Sequence, residues 1–355
     1  MSRRIAVVMA GGSGERFWPL SRPDRPKQLL KLTDPNQTML EEAVNRISPL
    51  VGSDTFISTS AALQSIIADA GVVSKDQVLA EPARRNTLGA LVWVAASLLS
   101  RGIENATVAV LTADHKIEDP DRFRATVGAA MDVAESTGGL VTLGITPDRP
   151  ETGYGYIEVD RSSTAKASDG REAYRSRRFL EKPSLDTAKE FLASGNHLWN
   201  AGMFFYTLTG FVSALAATNQ AAHEILHEIT EKLKSGDHHH AVKAFENLPN
   251  LSIDFAVMEK APSVYVVPSD FPWDDVGAWD ALERSLEADG DGNVLQGRVI
   301  ALDSNGCVLV NDDDQKVVGV VGITDLIVVA TRNAVLVCPK SQAQRVKQIV
   351  AKLST

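Results

Sequence analysis

Cysteine is nearly missing. Cys307 and Cys338 are the only two in 355 residues, too few for a disulfide framework and consistent with a chain kept in a reducing cytosol. No apolar run approaches the ~20 residues that a membrane span requires. Arg3-Arg4 ahead of Ile5–Met9 superficially matches a secretory leader. Gly11–Arg16 interrupt that run too early for an h-region, and no small-residue cleavage site follows. The expected location is therefore the cytoplasm. A basic excess is also lacking, since 36 Lys and Arg stand against 45 Asp and Glu for a net charge of −9. That balance argues against a nucleic-acid partner or a membrane surface. It leaves room for a nucleotide, because a local basic pocket fits inside an acidic shell.

Two common phosphate motifs are absent as well. The dinucleotide fingerprint needs a glycine three residues after Gly14, where Phe17 stands, and the Walker pattern needs Gly-Lys-Ser/Thr. What the chain has instead is Ile5–Lys31, IAVVMAGGSGERFWPLSRPDRPKQLLK. Ile5–Met9 is apolar and rich in β-branched residues, as a buried strand is. Gly11, Gly12 and Gly14 free the backbone to bend so that successive N–H groups line one concavity, a natural phosphate cradle. Arg16 and Lys27 add positive charge. Pro19, Pro23 and Pro26 rule out a regular helix between them.

Further along, helical spacing at Met39–Ile47, Ala61–Asp69, Leu88–Ser100 and Phe123–Ser136 alternates with strand-like runs. Those runs are Thr55–Thr59, Val78–Ala80, Thr107–Thr112 and Gly139–Ile145. This alternation predicts an α/β fold with a mostly parallel sheet covered by helices on both faces. Ligands bind such sheets beyond the carboxyl ends of the strands, where the Gly-rich loop and Asp114 fall. From Gly153 shorter strands are expected at Tyr154–Val159, Arg178–Lys182 and Met203–Thr207, with helices at Leu185–Ser194, Gly210–Asn219 and Ala222–Leu233. Gly236–His240 is polar and reads as a loop. Its three adjacent histidines share no single face, which disfavours a common metal ion. From Asn293 short β runs recur between Gly, Asn and Asp turns, closed by a helix over Ser341–Leu353. The expected domains are 1–288 and a small β-rich module, 289–355.

Several side chains suit phosphate and sugar chemistry. Asp114 follows a buried strand, and Asp274 and Asp275 sit in FPWDDVGAW. A carboxylate pair suits Mg²⁺, whose shell substrate phosphates and water complete, while an isolated Asp114 would serve as a loop or cap residue. Glu181 and Lys182 in FLEKPS can serve one ligand or simply pair with each other. Asn200 and Gly202 in NHLWNAGMFFY, with Gly153 and Gly155 in TGYGYI, suit a sugar hydroxyl approached closely by backbone, and a β-bulge would account for the glycines equally well. Glu81 in EPARRNTLGA is the one strong acceptor of its segment and suits the N1–H and N2 amino donors of guanine. Asn86 and Thr87 there precede a helix and could cap it, and Arg84 and Arg85 fit phosphate binding or plain exposure. Trp273 and Trp279 read as core aromatics, while Asp254 in SIDFAVMEK fits a structural role as well as a catalytic one.

GGSGERFWPLSRPDRPKQ resembles the signature loop of the sugar-nucleotide pyrophosphorylases, and FWPLSR with PKQ is most similar to their mannose-1-phosphate guanylyltransferase branch. The resemblance covers nearly the whole chain. It implies a Rossmann-like, GT-A-like nucleotidyltransferase domain and a left-handed β-helix-like C-terminal domain that often dimerises, hence a homodimer. It also implies Mg²⁺ or another divalent cation on Asp114 and Asp275, with Asp274 a neighbour. Arg16, Lys27, Asp114 and Asp275 would be catalytic. Ala10, Gly11, Gly12, Gly14, Arg16, Lys27, Glu81, Asn86, Thr87 and Asp114 would hold the nucleotide, and Gly153, Gly155, Glu181, Lys182, Asn200 and Gly202 the sugar phosphate. Phe17 stands where the pattern has Leu, Ala201 and Ala278 where it commonly has Ser, and Leu88-Gly89 where it has Ala-Pro; no charged position is lost. A monofunctional form, without a following isomerase domain, is expected.

The implied reaction is attack of mannose 1-phosphate on the α-phosphorus of GTP. The dianionic sugar phosphate, with a second pKa of about 6, needs no general base. Positioning and charge neutralisation would then do the work. Alternatives are another base and sugar, such as UTP with glucose 1-phosphate, and a silent subunit that binds sugar nucleotides. A glycosyltransferase fits less well, since its acidic pair usually lies close together in sequence.

Overall fold

In the computed structural model, which describes residues 2–353, the buried apolar runs assemble into a nine-stranded sheet. Its strands are β1 (Arg3–Met9), β2 (Thr55–Ser60), β3 (Val78–Glu81), β4 (Ala106–Thr112), β5 (Leu140–Ile145), β6 (Gly155–Lys166), β7 (Glu172–Glu181), β8 (His197–Thr207) and β9 (Val264–Ser269). They lie in the order β3-β2-β1-β4-β8-β5-β9-β7-β6, with β8 also paired to β6. The first four strands are mutually parallel, as are β5 and β9. The sheet as a whole is mixed, which corrects the expectation of a mostly parallel one. β6 and β7 form a long hairpin, and β8 enters antiparallel between β4 and β5. Apolar periodicity reports burial and carries no strand direction. β9, VYVVPS, went unread in the sequence; it carries Pro268 one residue before its end.

The chain visits β1, β2 and β3 outward and then returns to lay β4 on the other side of β1. The order therefore reverses between β1 and β4, which end level at Met9↔Thr112. Such a switch point is where α/β sheets bind ligands, and the segments that follow these two strands begin with the Gly-rich loop and Ala113-Asp114.

The helices are α1 (Met39–Val51), α2 (Gln64–Asp69), α3 (Asn86–Ser100), α4 (Pro120–Thr137), α5 (Leu185–Ser194), α6 (Leu208–Thr218), α7 (Gln220–Lys234) and α8 (His238–Glu246). α4 starts at an Asp119 cap that accepts from Arg122 N–H (3.0 Å) and ends at left-handed Gly138. α8 corrects the loop expected over Gly236–His240: Asp237 caps it, and the histidines form its first turn. Three adjacent polar residues hid an N-terminus whose apolar anchors, Ala241, Ala244 and Phe245, come later.

By contact the chain divides into two units. One comprises the chain up to Ala10, Val44–Thr112 and Glu118–Pro272. Its core joins Ile5, Val7, Val108 and Val110 of the sheet to Leu91, Val94 and Leu98 of α3 and to Phe211, Leu226 and Phe245. α3 is apolar around most of its circumference and is correspondingly buried.

The other unit comprises Gly11–Ala43, Ala113–Ile117 and Trp273 onward. It holds β10 (Val294–Gln296), β11 (Val299–Leu302), β12 (Val308–Asn311), β13 (Val318–Val321), β14 (Leu326–Ala330) and β15 (Val335–Pro339). β10, β12 and β14 stack in parallel through Val294↔Val308↔Ile327, and β11 pairs with β13 in parallel. Successive coils thus lie directly over one another, which is β-helix-like stacking. A 3₁₀ turn over Lys340–Arg345 leads into the closing helix α9 (Val346–Leu353). The core of this unit gathers Phe17, Leu20 and Leu30 with Trp279, Leu282, Val308, Ile327 and Val346. No described helix of the chain is long and apolar enough to cross a membrane.

Gly297 turns between β10 and β11 at φ +80°, and a Cβ there would sit 2.1 Å from the Asn311 carbonyl oxygen. Gly319, on β13, has open space around it. Gly297→Ala is expected to cost about 1–3 kcal/mol in urea unfolding, while Gly319→Ala stays within about 0.5 kcal/mol of the unsubstituted chain.

Candidate active site

Within the second unit, the Gly-rich loop folds over a cavity of about 400 Å³. Gly14 adopts φ +66°, and a Cβ there would lie 2.3 Å from Lys27 Cβ, so the close approach of loop and Lys27 demands glycine. Phe17 N–H donates to the Gly14 carbonyl (2.8 Å) and begins a 3₁₀ turn over Glu15–Phe17. Ser21 Oγ donates to the Ser13 carbonyl and Gln28 Nε2 to the Gly12 carbonyl, both at 2.8 Å. With the carbonyls tied back, the loop holds one shape. Gln28, the last residue of PKQ, is thus a loop brace.

Lys27 is buried. Its ammonium reaches Asp114 Oδ2 at 2.9 Å, the Asp114 carbonyl at 3.2 Å and the Asp275 carbonyl at 3.4 Å. It also lies 5.3 Å from the Phe17 ring centroid. Burial alone would raise the Asp114 carboxyl; the Lys27 ammonium, helped by His115, outweighs it and holds the group below its ordinary range. His115 is itself fixed by Trp273 Nε1–H, which donates to its Nδ1 at 3.0 Å. Trp279 Nε1–H donates to the Trp18 carbonyl and packs on Phe17. Both tryptophans hold the walls in place.

Adjacent aspartates 274 and 275 have different surroundings. Asp274 is buried, accepting from Val276 N–H (2.7 Å) and from Arg284 Nε (2.6 Å). Asp275 lines the cavity with Asp114, Arg16 and Lys27. Val276 is held at φ +45°, unusual for a β-branched residue, and a Cβ on Gly277 would lie 2.9 Å from Asp275 Oδ2. The Val-Gly pair therefore sets the direction of the Asp275 carboxylate at the cost of local strain.

The first unit carries the remaining expected residues. Ala10 is fully buried, its N–H donating to Ser58 O and its carbonyl accepting from Thr59 Oγ1. Glu81 ends β3, where burial, set against the nearby Ser58 hydroxyl, pushes its carboxyl up to about 7. Asn86 begins α3 at φ +57° and accepts from Thr87 N–H, while Thr87 Oγ1 accepts from Ile253 N–H at 2.8 Å. Arg85 donates to the Glu246 carbonyl. Gly89 is explained by packing, since a Cβ there would meet Phe245 at 3.1 Å and Arg85 at 2.4 Å.

Gly155, Glu181 and Asn200 come together: a Cβ on Gly155 would lie 2.8 Å from Glu181 Oε2 and 3.6 Å from Asn200 Cβ. Asn200 Nδ2 donates to Asp254 Oδ1 (2.8 Å), and its Oδ1 accepts from Gly202 N–H (3.1 Å). Asp254 lies on a short π-helix, Asp254–Met258. Burial pushes its carboxyl up against the Asn200 hydrogen bond, and Glu181 and Glu259 push the same way. This Asn200–Asp254 pair was not foreseen, because 54 residues separate its members; the one signal was the SIDFAVMEK segment. Lys182 is held at φ +45° and pairs with Glu181 at 2.8 Å on an exposed surface. Gly153 occupies a turn closed by Glu151.

A cavity lined by a Gly-rich loop, cations and the carboxylates of Glu15, Asp114 and Asp275 suits a polyphosphate and a metal better than a covalent nucleophile. The family model for nucleotidyl transferases matches residues 5–291. The chain belongs to the nucleotidyl transferase family. A second model, the MannoseP isomerase/GMP-like beta-helix domain, matches residues 297–353, in accord with the coil stacking of β10–β14. Mannose-1-phosphate guanylyltransferase of Salmonella montevideo is 38% identical over 98% of this chain and 73% of its own length. The alginate biosynthesis protein AlgA of Pseudomonas aeruginosa is 34% identical over 98% of this chain and 72% of its own. A crystal structure described as a mannose-1-phosphate geranyltransferase from Thermus thermophilus superposes with a TM-score of 0.86 at 37% identity, covering 99% of this chain and 100% of that one.

The raised Glu81 carboxyl gives a pH test. Its folded-state pKa of about 7 exceeds the unfolded value of about 4.3, so the folded state binds the extra proton. Stability is expected to fall as pH rises from about 4.5 to 7.5, by on the order of 2–3 kcal/mol. Urea titrations of Glu81→Gln should show that part of the slope removed and greater stability than the unsubstituted chain at pH 8.

Proposed function

We propose that the chain transfers GMP from GTP to α-D-mannose 1-phosphate, giving GDP-mannose and pyrophosphate. The observation that carries this reading is the convergence of Gly12, Gly14, Arg16, Lys27, Asp114 and Asp275 on one cavity. The relatives' names support the choice of guanine and mannose. In this reading the amides of Gly11–Gly14 and Arg16 cradle the triphosphate. Lys27, held by Asp114 and by the two carbonyls, stabilises charge near the transferring phosphorus. Glu81 accepts from the guanine edge, with Asn86 and Thr87 supporting its segment. Lys182 exchanges Glu181 for the sugar phosphate, and Glu181, Asn200, Gly202, Gly153 and Gly155 bind the sugar. The phosphate dianion attacks the α-phosphorus as pyrophosphate leaves, with no proton to remove.

Asp114 and Asp275 fit Mg²⁺ or a similar hard divalent cation. Among the described residues no group of three or more His, Cys, Asp or Glu converges to hold a metal, and two carboxylates with phosphate oxygens and water make the shell that Mg²⁺ prefers. Held by Asp114 and Asp275, such a cation would supply positive charge against the phosphate oxygens.

We further propose that residues 289–355 act as a C-terminal module that pairs two copies into a cytoplasmic homodimer, with no nucleic-acid or membrane partner. Ile300, Leu302 and Val321, more than half exposed on neighbouring strands β11 and β13, support this pairing. Leu302→Lys is expected to convert a dimer to monomer in sedimentation velocity; an unsubstituted monomer would refute the pairing.

Pyrophosphate release tests the reaction, with Mg²⁺, across GTP, ATP, UTP and dTTP, each paired with mannose 1-phosphate and glucose 1-phosphate. Release should be chiefly from GTP with mannose 1-phosphate and should fall by about 10²–10³-fold in Asp275→Ala. Preference for another pair would overturn the specificity. Silence across all pairs with GDP-mannose still bound would indicate a regulatory subunit.

A further inference from the structure

The cavity that holds the Gly-rich loop has a wall from the far end of the chain. Lys347, on α9, lines it together with Gly14, Arg16, Lys27, Asp114 and Asp275. Its neighbour Val346 is buried in the same core as Phe17, the residue that closes the 3₁₀ turn of the loop. α9 packs directly on that turn. Burial of Val346 therefore fixes the start of α9 against the loop, and the next residue along faces the cavity.

The charge balance gives this placement a use. Lys27, the buried cation, is committed to Asp114 at 2.9 Å. Arg16 and Lys347 are both exposed and, among the described residues, neither is in an ion pair. A chain with net charge −9 thus places two cations outside any ion pair, from two distant segments, on one pocket whose lining also holds Glu15, Asp114 and Asp275. A long, mobile ammonium at the rim suits a phosphate chain as a point charge.

We propose that Lys347 is a triphosphate-binding residue, so that the C-terminal helix completes the nucleotide site. The inference rests on the nucleotidyl-transfer reading and adds a contact to it. It makes α9 part of the site, with a stake in GTP binding and none in the sugar.

Titration calorimetry with inorganic tripolyphosphate and with GTP tests it, followed by steady-state kinetics. Lys347→Ala should weaken both ligands by about ten- to a hundredfold, the span of one charge-assisted contact. KM for GTP should rise accordingly, with KM for mannose 1-phosphate unchanged. Lys347→Arg should restore most of the affinity, and Lys347→Gln should not. Arg345→Gln removes the same charge one turn edge away, where the guanidinium donates to Gln342 and Gln348, and should leave both constants alone. Equal losses in Arg345→Gln and Lys347→Ala, or unchanged tripolyphosphate affinity in Lys347→Ala, would overturn the inference. If the unsubstituted chain bound tripolyphosphate through Lys347 but released no pyrophosphate, the reaction assignment would fail and this inference would stand.

Discussion

The second unit hangs on the hydrogen bonds of one buried ammonium. Lys27 Nζ joins the carboxylate and carbonyl of Asp114 to the carbonyl of Asp275, and so ties together three segments that are far apart in sequence. Burying a lysine is costly unless its donors are met, and here carboxylate, two carbonyls and the face of Phe17 meet them. The same contact keeps Asp114 ionised, so that one interaction serves both folding and charge placement. Loss of either partner would strand a charge in the wall of the cavity.

Around that contact, backbone conformation is spent on direction. Gly14 turns left-handed so that the loop can lie against Lys27, and Val276 accepts strain so that Asp275 faces the cavity while Asp274 is drawn away to Arg284. Such strain persists only where packing over-determines it. Trp279 and Phe17 supply that packing. In the first unit Asn200 pairs with Asp254, and burial raises the carboxyls of Glu81 and Asp254, which favours their neutral form.

Much of this was legible in the sequence, for physical reasons. A β-branched run followed by glycines and a cation states its geometry locally, so the loop, Arg16 and Lys27 could be read directly. Asp114 could be placed because TVAVLT is an unambiguous buried strand. Resemblance, and not spacing, separated Asp275 from Asp274; in the structure Asp275 lines the cavity and Asp274 accepts from Val276 N–H and Arg284. Long-range arrangement was opaque. Strand direction, the pairing of Asn200 with Asp254, and the arrival of Lys347 beside the loop depend on contacts that no window of sequence contains. α8 was missed because its polar first turn looks like a loop until Asp237 is seen to cap it.

The central claim is that nucleotidyl transfer here needs charge neutralisation and no protein base. The most direct measurement is the pH dependence of kcat/KM for the sugar phosphate at saturating GTP, with mannose 1-phosphate and with a 2-fluoro analogue whose phosphate ionises at lower pH. The account predicts a single rising limb that follows the second ionisation of whichever substrate is used, about pH 6 for the natural one, and then a plateau. A limb that stays at one pH for both substrates would reveal an essential protein base and contradict it.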